Sequence, residues 1–299
     1  MTFLSILIAL LFERTLENSR PQRRHRWFDR YCSRLSSGGG FLRGLMGQPW
    51  GIAIALLPLL LAIGWLQALF NEFGGLFALV FGSAVLLYSL GPGDLGEEVG
   101  AYLAARDAGD DQQAASSAQQ LCLSEIPDAE PRRSFAVARA VVVLANRRLL
   151  APIFWFVLFG AVGAAAYRML QLIGERLHAE DGPQEMQQHS DRARQIADWA
   201  PARLTAFSYA VAGNFDAVAH AWRTFEHIPL DGPLSEADHL LAHTGLAALD
   251  TFPDDADELD DSSELDLAPV VEDALALVWR SLTIWVVVIG AGSLVAALA

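Results

Sequence analysis

Arginine is the residue whose placement in this chain invites chemistry. Asn146-Arg147-Arg148 stands directly ahead of the apolar stretch Leu149–Tyr167, and Arg168 closes that stretch. Arg203 follows Asp198-Trp199-Ala200-Pro201-Ala202. A guanidinium offers planar, paired donors to a carboxylate or phosphate, and a helix N-terminus favours negative charge beside it. Asn146, Arg147, Arg148, Arg168, Asp198 and Arg203 are therefore the candidate binding residues, and the chemistry they suit is gripping an anion. Plainer roles stand beside this one. Arg147 and Arg148 suit anchoring at lipid headgroups. Arg203 lies in the first turn after a proline, near Trp199 and Asp198, where the helix field does not favour a cation, so it is expected to have a specific partner, either in an ion pair capping the helix or in a polar site.

Other reactive groups add little. All 21 basic residues are Arg; there is no Lys, which removes P-loop phosphate binding, Schiff-base chemistry and a lysine nucleophile. Cys32 and Cys122 are isolated thiols, with no spacing that suggests a disulfide or zinc site. His239 and His243 share a helix face at i, i+4, but Leu240 stands where a zinc protease places its Glu. No GxSxG, CxxC or Gly-rich phosphate loop occurs, and Gly38-Gly39-Gly40 reads as a flexible link. No catalytic residue, metal ligand or cofactor is assigned. A net charge of −14 disfavours nucleic acid as a partner.

The elements that must position these arginines are membrane helices. Crossing a bilayer core takes about 20 mostly apolar residues. Pro49–Phe70, Phe73–Leu90, Leu149–Tyr167 and Ser281–Ala299 lack charge over such lengths, with a tight turn expected at Asn71–Gly75. Met1–Phe12 is uncharged but short, and reads as an uncleaved first membrane helix continuing to Leu16. The expected fold is all-α: a polytopic membrane bundle of four to five membrane helices with helical cytoplasmic loops.

Arginine excess marks cytoplasmic loops. Segment 13–48 carries Arg14, Arg20, Arg23, Arg24, Arg26, Arg30, Arg34 and Arg43, and segment 92–148 carries Arg132, Arg133, Arg139, Arg147 and Arg148 beside the membrane. Both are expected in the cytoplasm, on a multi-pass protein of the bacterial inner membrane. Residues 168–280 admit two readings. A full crossing by 149–167 puts them outside; their six further arginines at 168–223, with a re-entrant turn permitted by Gly160, Gly163 and Ala164–Ala166, keep them inside, although the same small residues equally allow close helix packing.

Five regions follow. Residues 1–91 hold the N-terminal membrane helices and the Arg-rich loop. Residues 92–148 form a helical loop whose Ser134–Ala145 is apolar around Arg139 and reads as a helix buried against the membrane domain. Residues 149–223 join a membrane helix to a helix–break–helix stretch, with Pro201 as a helix start, Gly213-Asn214 as a break, and Phe215, Val218, Ala219 and Trp222 as a core stripe. Residues 224–280 read as an acidic, partly disordered linker, since 250–273 holds eleven acids and no base. Residues 281–299 are the last membrane helix.

APIFWFVLFGAVGAAAYR at 151–168 and DWAPARLTA at 198–206 together resemble the AmpE family and the related cobalamin-biosynthesis membrane proteins CbiB/CobD; LFERTLE at 11–17 is more like the AmpE branch. The resemblance runs through most of the chain. Its synthase branch joins an amino-alcohol phosphate to a corrinoid carboxyl with ATP and magnesium. That branch has acids ahead of the APxFW fragment, after the YR, and ahead of the PAR fragment. Here Arg147 stands in the first place, Gln171 and Gly174 in the second, Arg194 and Gln195 in the third. Magnesium on phosphates needs carboxylate oxygen. The resemblance therefore implies a non-synthase relative: a regulator of β-lactamase induction linked to peptidoglycan recycling, with the cytoplasmic amidase AmpD as partner. Clustered arginine without catalytic acids adds the expectation that Arg147, Arg148, Arg168 and Arg203 line a cytoplasm-facing pocket for an anion, a muropeptide or a nucleotide. The enzymatic alternative would draw its acids from Glu175, Asp191 or Asp198.

Overall fold

The computed structural model describes residues 2–15, 28, 30–32, 50–91, 95–122, 126–127, 130–179, 183–225, 234–250 and 268–298. The loop arginines Arg20, Arg23, Arg24, Arg26, Arg34 and Arg43, the triple glycine and the acids between 254 and 266 lie outside them. Every regular element among the described residues is helical. In chain order these are α1 (Thr2–Thr15), α2 (Gly51–Phe73), α3 (Gly75–Ser89), α4 (Leu95–Asp107), α5 (Asp111–Leu121), α6 (Glu130–Ala145), a π-helical turn (Asn146–Leu150), α7 (Ala151–Ala179), α8 (Gln184–Ala212), α9 (Phe215–Thr224), α10 (Glu236–Ala247) and α11 (Ala268–Leu298). Three helical runs, 51–73, 132–179 and 269–298, are long and apolar enough to cross a membrane, and α1 and α3 are shorter apolar helices. The protein is an all-α membrane helical bundle.

Contacts gather the chain into two units, residues 1–92 with 151–197, and residues 93–150 with 198–299. In the first unit α3 packs on α1, α2 and α7. Small and hydroxylated residues let these helices approach: Ser83 Oγ donates to Ser5 O at 3.2 Å, and a Cβ on Gly82 would lie 3.2 Å from Ser5 Oγ. The turn between α2 and α3 is one residue, Gly74, at φ 123°. That angle is open to glycine at little cost. The expected turn at Asn71–Gly75 is thus narrower, and Asn71 and Glu72 finish α2. Ile52 and Leu56 of α2 meet Ala165, Met169 and Leu172 of α7 in the core.

α7 is two helical pieces joined at Gly160, where φ is 64° and ψ −148°. Gln67, the one amide in the apolar stretch of α2, fills this break; its Oε1 accepts from Val162 N at 3.4 Å. Broken backbone inside an apolar bundle needs such a partner. Gly163 is forced by packing, because a Cβ there would lie 2.2 Å from Trp155 O.

In the second unit α6 is the centre. Val137, Ala138, Val141, Val142 and Ala145 are fully buried, with α4, α5, α10 and α11 around them. Ser134–Ala145 is buried as the sequence suggests, and the helices that cover it belong to its own unit. The last helix begins at Ala268 rather than Ser281. Its first half places Val271, Ala274, Leu277 and Val278 in the core while Glu272 and Asp273 face out, so this end of the acidic run is an amphipathic helix. Its second half exposes Val287, Val288, Leu294, Val295 and Leu298, as a lipid-facing helix does.

Candidate functional site

The turn bearing Asn146, Arg147 and Arg148 is wider than an α-helix, running between α6 and α7 without a break. Pro152, in the next turn, has no N–H to give and crowds the preceding turn, and a π turn absorbs this without ending the helix. Asn146 is buried, and its Oδ1 accepts from Thr205 Oγ1 of α8 at 3.0 Å. One turn further along α8, Tyr209 OH donates to Val142 O at 2.7 Å.

The arginines are charge-paired within the second unit. Arg147 Nε donates to Asp238 Oδ1 at 2.9 Å and its Nη2 to Oδ2 of the same carboxylate. Asp238 is 2% exposed and also closes the capping box of α10, accepting from Ser235 N at 2.9 Å and from Ser235 Oγ. Arg148 Nη1 donates to Glu98 Oε2 of α4 at 2.7 Å. Arg203 Nη2 reaches Glu236 Oε1 at 3.2 Å, and its guanidinium lies 4.3 Å from the Trp199 ring centroid. Arg147 and Arg203 thus converge on the first turn of α10. Asp198 is buried on the inward side of α8. It is Glu236, not Asp198, that is seen to pair with Arg203.

Arg168 belongs to the first unit, buried, 3.9 Å from Glu175. There two of the three places read as lost acids meet, while Arg147, the first, belongs to the second unit. Arg194 Nε donates to Gln171 Oε1 at 3.1 Å, and a Cβ on Gly174 would lie 2.7 Å from Arg194 Cδ. Asp191 lies 3.5 Å from both Arg194 and His178. Arg194 thus sits between an amide and a single carboxylate, Gln171 and Asp191, a donor set poorer in carboxylate oxygen than a magnesium ion calls for. Glu175 and Asp191, two of the acids open to an enzymatic reading, each face an arginine.

Two corrections concern α8 and α9. Pro201 does not start a helix; it lies inside α8, which runs unbroken to Ala212. Its missing N–H leaves Ala197 O without a helical donor, and Trp155 Nε1 takes that place at 3.2 Å. The break does fall at Gly213-Asn214, where Asn214 N donates to Ala248 O and its side chain caps α9. Of the stripe expected in the core, Val218 is buried, whereas Phe215 and Trp222 are exposed.

Sequence reasoning missed the partners. Glu98 reads as one of several acids on a solvated face. Asp238 was findable as a capping residue from Ser235-x-x-Asp238, but nothing in the spacing ties it to Arg147. His239 and His243 sit half-buried on α10, and no three His, Cys, Asp or Glu side chains among the described residues gather as a metal site.

Residues 1–227 match the model of a family described as "Regulatory signalling modulator protein AmpE". Among curated proteins, the chain is 27% identical to "Cobalamin biosynthesis protein CobD" of Stutzerimonas stutzeri (strain A1501), with 96% of each chain covered. No solved structure matches it.

Proposed function

The chain belongs to the AmpE family, and from that premise we propose a regulatory rather than a synthetic role. In this reading it sits in the bacterial inner membrane, with the Arg-rich segments on the cytoplasmic side. It modulates β-lactamase induction within peptidoglycan recycling, with the amidase AmpD as a cytoplasmic partner. Its ligand is an anion, a muropeptide or a nucleotide, held by Asn146, Arg147, Arg148, Asp198 and Arg203 of the second unit. A guanidinium has five N–H donors; Asp238 takes two from Arg147. The carboxylates thereby hold the arginines in place, and an arriving anion competes with them for the same cations. Such competition couples binding to the packing of α10, which carries two of those carboxylates.

The observation supporting this reading is the contact of Arg194 with Gln171 over Gly174. At two of the three places that differ from the synthase pattern, Gln171, Gly174 and Arg194 meet and hold a positive charge among themselves. The test is thermal unfolding of the purified protein with anhydromuropeptides and with nucleotides. A ligand that binds only the folded state raises the unfolding temperature. The reading expects such a rise with at least one of these compounds, and its loss in Arg148→Ala. Unchanged unfolding across both compound classes would refute the anion site.

The likeness to a cobalamin-biosynthesis protein over 96% of both chains favours a second reading, a corrinoid amide synthase that has kept its chemistry on other acids. Magnesium-dependent ATP turnover with a corrinoid acid separates it from the first.

A further inference from the structure

The second half of α8 is built with its polarity reversed. Its inward side carries Asp198, Ala202, Thr205, Ala206, Ser208 and Tyr209, all buried. Its outward side carries Trp199, Leu204, Phe207 and Val211, exposed by 56%, 47%, 58% and 52%. The stripe continues past the Gly213-Asn214 break onto α9 with Phe215 and Trp222. A helix facing water shows the opposite arrangement, polar side out. Small and hydroxylated residues inside with large apolar residues outside is the arrangement lipid selects. We propose that this face of α8 and α9 lies against the bilayer, as a membrane-seated surface in addition to the long apolar helices.

Three features on the same surface identify lipid as the occupant. Residues 204–212 contain no charged side chain. Tryptophans mark both ends of the stripe, as aromatic residues do at membrane interfaces. Arg203, at the edge of the stripe, has its guanidinium over the Trp199 ring and paired with Glu236, so its charge is compensated there. The same unit already holds a lipid-facing helix in the second half of α11. The uncharged part is about 14 Å long at ~1.5 Å per residue, too short to cross a core of about 30 Å. The surface therefore lies in one leaflet, with its axis near the interface.

Spin labels test this. Single cysteines at Leu204, Phe207 and Val211, in a Cys32→Ser/Cys122→Ser chain, are labelled and reconstituted into vesicles of phosphatidylethanolamine and phosphatidylglycerol. Gln112→Cys on α5 is the water-exposed control. Collision with oxygen relative to a water-soluble nickel chelate is expected to be several-fold higher at all three sites than at the control. A ratio equal to the control means water covers the face and overturns the proposal. Exclusion of both relaxers means protein covers it, from a second copy or another partner, and overturns it equally. A photoreactive phenylalanine at Phe207 in the otherwise unaltered chain gives an independent result. It is expected to add phospholipid mass; a protein adduct in its place contradicts the proposal.

Discussion

Trp155 donates its indole N–H to Ala197 O at 3.2 Å, the carbonyl that Pro201 leaves without its helical donor four residues on. Trp155, within the 151–168 fragment, is therefore bonded to the residue just ahead of the 198–206 fragment. Removing it by Trp155→Phe leaves a polar group unsatisfied, at a cost of about 1–3 kcal/mol. Pro201→Ala restores the helical N–H, so the same change should cost markedly less in that background. Thermal unfolding of the four proteins measures the difference. An equal cost in both backgrounds would mean that indole volume, not the hydrogen bond, sets it.

Arg147 and Asp238 form a pair whose carboxylate is 2% exposed. Removing Arg147 leaves Asp238 buried without its guanidinium, and Arg147→Ala should destabilise by about 3–5 kcal/mol. Asp238→Ala should be at least as damaging, because the cap of α10 is lost as well. The double variant should be clearly less destabilised than the sum of the two. Additive losses would show that the two side chains do not act as a pair.

Gly174 lies under Arg194, and an alanine there would meet the guanidinium stem. With Arg194 present, Gly174→Ala displaces it from Gln171 and should bring no stability. In an Arg194→Ala chain the same change should stabilise by about 0.5–1 kcal/mol, the ordinary gain of Ala over Gly inside a helix. Stabilisation of equal size in both backgrounds would show that Arg194 does not occupy this space.

The Cys122 thiol is pushed up from 9.0 to about 11 by burial, with Arg139 opposing the shift. Between these values the unfolded chain loses a proton that the folded chain keeps. The contribution to stability is therefore complete below pH 9.0 and is lost as pH rises toward about 11. Alkylation of a Cys32→Ser chain should stay slow at pH 9.0 and climb only near pH 11. A rate that levels off by pH 9.0 would be contrary to this.

The membrane helices were legible because absence of charge over a fixed length is a property of the chain alone. Ser134–Ala145 and the Gly213-Asn214 break were legible for similar local reasons. What could not be read is where a local rule meets a distant partner. Pro201 reads as a helix start until Trp155 supplies the missing donor from α7. Nothing in the spacing tells that Arg147 shares its guanidinium with Asp238, on a helix far along the chain. Hydrophobic periodicity is blind to the π turn at Asn146–Leu150, which adds one residue to a turn without changing composition. Phe215 and Trp222 fit a core stripe by spacing, because spacing does not say whether protein or lipid faces it. Glu272 and Asp273 hid the start of α11 by extending a run of acids whose other members suit a linker.

One measurement bears most directly on the regulatory reading. Purified full-length protein in lipid nanodiscs is supplied with magnesium, ATP, a corrinoid acid and an amino-alcohol phosphate, and corrinoid amide is quantified by mass spectrometry. With Arg194 seated on Gln171 over Gly174, no amide above the protein-free control is expected. Magnesium-dependent accumulation of the amide, abolished by Asp191→Asn, would contradict the regulatory reading and establish the chain as a synthase.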